Sequence, residues 1–290
     1  MLDALAAIAL WSTLALLGLK LRGVPPFLLV GSALLLGSVF GLRKCHLRGV
    51  RPSVLLLGVY GLFAYHFCLF VALRLAPPVE ANLINYLWPL LIVLFTPVIT
   101  GGPGLRARHV GGAVLGFCGA ALLVSGGHLR FHSSAAAGYA LALAAAVIWS
   151  TYSLLTKRIG DFPTSTIALF CLVSGSLSLL CHALFEPRYL FRSGELPYLL
   201  VIGLGPMGGA FYLWDRALKR GDPRTVGTLA YLTPLASTSL LALFGGGHLE
   251  ASSVIAAGMI MGGAVIGTWR SGEARPAAES LSSPSRSGEP

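Results

Sequence analysis

The densest run of chemically capable side chains is residues 82–89, Asn82-Leu83-Ile84-Asn85-Tyr86-Leu87-Trp88-Pro89. Two amides, a phenol and an indole sit in a stretch otherwise greasy enough to be buried. A helix turns about 100° per residue, so Asn82, Asn85, Tyr86 and Pro89 share one arc, with Trp88 at its flank. Proline has no N–H and crowds the carbonyl four residues back, so a kink at Pro89 frees the carbonyl of Asn85. In lipid each unpaired polar group is costly, so this side must face protein or a water-filled space. Two readings follow: the polar wall of a cavity, or a hydrogen-bonded seam between helices.

Other groups could join that wall. Tyr60, Tyr65 and His66 lie in the preceding apolar run, and Trp11, Ser12, Trp149, Tyr152, Tyr212 and Trp214 lie in others. A mid-span histidine such as His66 is either a proton relay or a neutral imidazole hydrogen-bonding across helices. Tyr198 and Trp269, close to run ends, suit interfacial anchoring better than ligand contact.

Positioning these groups is the task of the surrounding elements. The chain has 290 residues, 55 % hydrophobic and 11 % charged, with mean hydropathy +0.77. Soluble domains carry about 25 % charged residues. Apolar runs long enough for a membrane helix recur along the chain. They place spans at 2–19, 25–42, 53–73, 79–99, 107–125, 135–156, 163–185, 196–218, 223–243 and 251–269. The fold class is an all-α membrane protein of ten transmembrane helices. The first span has no positive n-region and reads as a retained helix, not a signal peptide. The net charge of +10 divides unevenly: fourteen Lys and Arg in the even-numbered connections and the tail, six in the odd-numbered ones. Cytoplasmic loops carry that excess, so both termini are placed in the cytoplasm and the basic balance needs no nucleic acid. Residues 271–290, rich in Ser, Pro, Glu and Gly, read as a disordered cytoplasmic tail.

The chain also repeats itself. "LWSTLALLGLK" at 10–20 is echoed by "IWSTYSLLTKR" at 148–158. "ALRLAPPVEANLINYLWPL" at 72–90 aligns with "ALKRGDPRTVGTLAYLTPL" at 217–235, pairing Pro78, Tyr86 and Pro89 with Pro223, Tyr231 and Pro234. Gly112 and Gly116 have counterparts in Gly258 and Gly262, small-xxx-small pairs that let helices approach closely. The units are residues 1–130 and 131–270. Five helices each gives them opposite orientation, the inverted-repeat plan of many secondary transporters, with the substrate site near the midplane. The second unit is plainer: Gly227, Ala230 and Thr233 stand where the first has Asn82, Asn85 and Trp88.

Absences exclude function classes. No Asp, Glu, Lys or Arg falls near the middle of a span; Asp215 and Arg216 lie within about a turn of the end of span eight, and Glu80 begins span four. An ionised phosphate or nucleotide substrate wants a cationic clamp, and a carboxylate-driven antiporter wants a midplane acid. Neutral hydrogen bonding plus aromatic surface suits a zwitterion or a weakly charged organic solute. There is no HExxH, no GxSxG, no paired membrane aspartates and no phosphate-cradling glycine loop, so the reading is not an enzyme and calls for no cofactor or metal. Cys45, Cys68, Cys118, Cys171 and Cys181 lack ligand spacing and read as small buried side chains.

With the ten-helix repeat, "AVIWSTYSLLTKR" and "ALKRGDPRTVGTLAYLTPLASTSLLALF" in view, the chain resembles the EamA class of the drug/metabolite transporter superfamily. "NYLWP" at 85–89, after the aromatic span three, is similar to the amino acid exporters of that class. The resemblance implies a basket-like cavity between the halves and alternating access in the bacterial inner membrane, moving aromatic and other neutral amino acids out of the cytoplasm. It implies that Tyr86, Trp88, His66 and Trp149 line the cavity. With Asn85, Asn82, Tyr65, Tyr231 and Trp214 they form the candidate substrate-binding set. The alternative is efflux of cationic or apolar drugs, with aromatics providing cation–π contacts. The partners expected are the amino acid and membrane lipid; oligomeric state is open, a monomer included.

Overall fold

The computed structural model describes residues 1–44, 50–101, 104–160, 162–244 and 251–269; Cys45, Arg48, Arg270 and the tail 271–290 lie outside them. Among the described residues every regular element is helical. The helices are α1 Leu2–Lys20, α2 Pro26–Leu42, α3 Pro52–Leu75, α4 Pro78–Thr100, α5 Ala107–Ser125, α6 Ser133–Ile159, α7 Thr164–Phe185, α8 Leu196–Arg220, α9 Pro223–Phe244 and α10 Ala251–Thr268. Eight are long and apolar enough to cross a membrane; α2 and α10 are shorter apolar helices. The expected span ends fall within three residues of these bounds. Proline at the first or second helical position starts α2, α3, α4, α8 and α9, where its missing N–H costs nothing.

Lipid supplies no hydrophobic force between helices, so close backbone approach must hold the bundle. At Gly37 of α2 an added Cβ would stand 2.6 Å from the Cα of Gly208 in α8, and at Gly112 of α5 it would stand 2.6 Å from the carbonyl of Gly263 in α10. Thus α5 and α10 pack within one chain. The α10 contact stripe is Gly263 and Gly267, not the expected Gly258 and Gly262, which have open or nearly open space beside them. Large apolar residues such as Leu56, Val98 and Val254 are left on the outer surface, as hydrocarbon-facing side chains would be. Cys171 and Cys181 are buried as expected, whereas Cys68 is half-buried and Cys118 exposed.

Four irregularities interrupt the rods, and they come in pairs. A π turn at Tyr60–Ala64 in α3 is matched by one at Gly205–Gly209 in α8. α4 breaks between Asn85 and Trp88, and α9 breaks between Leu229 and Leu232. The π turns lie 145 residues apart and the breaks 144. Helix pairing follows the same exchange: α1 packs on α8 and α9, and α6 packs on α3 and α4.

Candidate functional site

A cavity of about 400 Å³ lies among α1, α2, α3, α4, α6, α8 and α9. The break in α4 builds its polar wall. Tyr86 N–H still reaches Asn82 O, but Leu87 N–H turns to Ile84 O, and the helix restarts at Trp88 with Pro89 behind it. That offset re-aims the register, so Asn82, Asn85, Tyr86 and Trp88 all line the cavity. Pro89 does not, contrary to the regular-helix projection, because it packs toward Gly227 of α9.

The π turn in α3 presents Tyr65 and His66 beside that wall. His66 Nδ1 donates to Leu62 O of its own helix at 2.5 Å, not across helices as one reading had it. The other ring nitrogen therefore carries the lone pair in the neutral form. Asn85 Nδ2 donates to the Tyr65 hydroxyl at 3.4 Å. Opposite stand Thr233 and Ser237 of α9. Among the described residues, no Asp, Glu, Lys or Arg lines the space.

Its floor is aromatic. Trp11, Trp88 and Trp149 line it, with ring centroids 6.4 Å (Trp11–Trp88) and 5.8 Å (Trp11–Trp149) apart. In the π turn of α8, Pro206 O accepts from Trp11 Nε1 at 3.0 Å, fixing the indole edge. Trp214 lies beneath, 5.0 Å from Trp11, donating to Ser153 Oγ at 3.1 Å. Seven of the nine candidate residues are thus brought together, and two are not: Trp214 and Tyr231 are buried behind the lining. Tyr231 instead reaches into the α4 break. Its hydroxyl accepts from Leu90 N–H at 3.1 Å and donates to Tyr86 O at 3.3 Å, standing in for the missing turn of the helix ladder.

The candidate set lacked Trp11, Phe211, Met207 and the α2 residues Leu29, Val30 and Ala33, all of which line the cavity. Trp11 had a signal, being the repeat mate of Trp149, and Phe211 is the repeat mate of His66. The α2 residues had none, because a plain apolar residue looks the same facing lipid or a hollow.

The cavity reaches the bundle end at which α1 finishes, through Ala15 and Gly18 of α1 and the first turns of α2. Near that rim, buried Glu186 ties three helices. It accepts from the Phe27 and Leu28 N–H groups that start α2, from Arg74 of α3 at 2.6 Å and from His182 of α7 at 3.0 Å. The other end is sealed. Lys157 Nζ donates to Leu218 O in the last turn of α8 at 2.9 Å and to Gly221 O just beyond it at 2.7 Å, Asp215 accepts from Thr164 and Lys219, and Arg216 pairs with Asp3 of α1 at 2.6 Å.

Known proteins share this architecture. A protein named "Aromatic amino acid exporter YddG" from Ancylobacter novellus is 44 % identical over 271 residues, 90 % of this chain and 94 % of that one. A protein of the same name from Escherichia coli K12 is 26 % identical over 280 residues, again 90 % of this chain and 94 % of that one. A solved crystal structure at 44 % identity superposes with a TM-score of 0.87, covering 92 % of this chain and 97 % of that one. The EamA-like transporter family pattern matches residues 1–125 and 136–269. With the pattern matched over both stretches, the chain belongs to the EamA-like transporter family.

Proposed function

We propose that this protein exports aromatic and other neutral amino acids from the cytoplasm by alternating access through the central cavity. The observation that carries the proposal is a hollow of about 400 Å³, of small-molecule size, walled by indoles, phenols and amides without one ionised side chain. Aromatic faces suit the apolar side chain of the solute. Amides, hydroxyls and neutral His66 can pair with its ammonium and carboxylate, whose opposite charges need no fixed counter-ion. The 44 % identity to an exporter named for aromatic amino acids supports that substrate class. A cationic drug would want an acidic side chain, and among the described residues none lines the cavity.

In this reading all ten helices cross the inner membrane, both termini are cytoplasmic, and residues 1–130 and 131–270 are oppositely oriented halves. The paired π turns and breaks, the exchanged helix contacts and the two separate stretches matching the family pattern support that division. Tyr86, Asn85, Trp88, Asn82, His66, Tyr65 and Trp149 bind the solute, and Tyr231 and Trp214 support the wall.

Purified protein in liposomes should take up labelled phenylalanine, with unlabelled methionine and threonine competing. Tyr86→Ala should reduce that uptake about tenfold or more, as expected when a wall aromatic and its hydroxyl are lost. Unchanged uptake would show that the site lies elsewhere.

A further inference from the structure

α4 and α9 meet like two blades, in contact beside their breaks. On the sealed side the blades touch: an added Cβ on Gly227 would lie 3.0 Å from both Pro89 O and Ile92 Cγ2. On the open side they diverge, with Asn82, Asn85 and Tyr86 on one wall of the cavity and Thr233 and Ser237 on the other. Tyr231 is fully buried, its hydroxyl seated between Tyr86 O and Leu90 N of the α4 break. Its repeat mate, Tyr86, faces the cavity, and the α9 break offers the corresponding pair of groups, Tyr231 O and Leu235 N.

We propose that Tyr231 and Tyr86 are alternating pins. Tyr231 seated in the α4 break holds the sealed end shut; Tyr86 seated in the α9 break holds the now-open mouth shut, with Asn82 brought against Ser237. The proposal rests on the inverted-repeat reading above. Repeat arithmetic supplies the closed contact. The present Gly227 against Ile92 and Pro89 O becomes, 145 residues away, Asn82 against Ser237 and Pro234 O. The exchange conserves room, since the larger residue on one blade meets the smaller on the other. It also converts an apolar contact into one where the Asn82 amide can donate to a hydroxyl and a carbonyl. In the exchanged state the phenol of Tyr231 would line the cavity from the opposite side.

A cysteine in the mouth tests this. At Gly18 no atom lies within 4 Å of an added Cβ, so Gly18→Cys fits without strain, in a chain whose five native cysteines are replaced. Its labelling by a membrane-impermeant maleimide in vesicles reports the open mouth. Tyr231→Phe removes one neutral hydrogen-bonding group from the present state and should slow labelling roughly two- to tenfold. Tyr86→Phe should not slow it, and the double variant should return toward the parent rate. An unchanged rate in Tyr231→Phe, or a double variant no faster than that single one, overturns the proposal. As a second measurement, the Asn82→Cys, Ser237→Cys pair treated with copper–phenanthroline as oxidant should form a disulfide within one chain, seen as a gel shift reversed by reductant; no disulfide formed also overturns it. Parental uptake in the same vesicles separates the two failures. No uptake sinks the transport reading alone, whereas normal uptake with the wrong labelling order sinks the pins alone.

Discussion

Gly61 lies in the π turn of α3, directly against Tyr152 of α6. A Cβ added there would stand 2.1 Å from Tyr152 Cδ2 and 2.2 Å from its Cγ. Replacing Gly61 by Ala sets two effects against each other. Helix propensity favours alanine by about 1 kcal/mol. Overpacking a filled interior costs about 1–3 kcal/mol. The overlap decides between them: the ring must retreat by about 1.5 Å to reach ordinary carbon contact near 3.5–4 Å. Tyr152 is 3 % exposed and its ring lies 5.4 Å from that of Trp149, so the retreat drives into the cavity floor. The cost belongs at the upper end, leaving a net loss of about 2 kcal/mol. Thermal unfolding in detergent should therefore fall by several degrees, and phenylalanine uptake should fall with it through Trp149. Gly18→Ala is the control, with no atom in the way and only the propensity gain. Tyr152→Leu in the Gly61→Ala background should recover part of the loss, because the two residues share one contact. Should Gly61→Ala unfold with the parent, or Tyr152→Leu add its own full penalty on top, the packing account of this turn is wrong.

Two further outcomes follow from the sealed end. Lys157→Met removes charged hydrogen bonds to Leu218 O and Gly221 O, and should lower detergent stability by about 2 kcal/mol, since water can replace part of what is lost; an unchanged melting curve would contradict it. Burial alone would raise the Asp222 carboxyl, but Arg224, through its guanidinium and its N–H at 3.0 Å, holds it below the ordinary 3.8. A group depressed in the folded state stabilises above its unfolded pKa and loses that contribution as pH falls through the folded value. Asp222→Asn should therefore unfold at lower temperature than the parent at pH 7, with the gap closing below about pH 4, as a melting series across pH would show.

Most of the fold was legible because lipid imposes a simple rule, that an unbroken apolar run of sufficient length becomes a helix. Its ends were marked by Pro, Gly and basic residues that act locally. The polar wall was legible for a related reason: Asn82, Asn85 and Tyr86 are expensive in lipid and needed an explanation. What the pattern missed was geometric. A regular-helix projection put Pro89 on the wall and Trp88 on the flank, and the break at Tyr86–Leu87 reversed them. Nothing local announced that Tyr231 would complete the ladder of another helix from 141 residues away. Leu29, Val30 and Ala33 could not be assigned, because apolar side chains carry no record of which neighbour they face.

The unequal walls have a consequence of their own. Where one half carries the amides of Asn82 and Asn85, the other offers Gly227 and Ala230. A solute arriving from one compartment therefore meets donors and acceptors that a solute arriving from the other does not. Binding preference between two states of a carrier can redistribute those states but cannot move the final balance of solute across an uncoupled membrane. The end point is the same from both directions, while the concentration at which traffic half-saturates differs between them. Under the inverted-repeat reading proposed above, chemical lopsidedness between the halves would make the kinetics differ with direction.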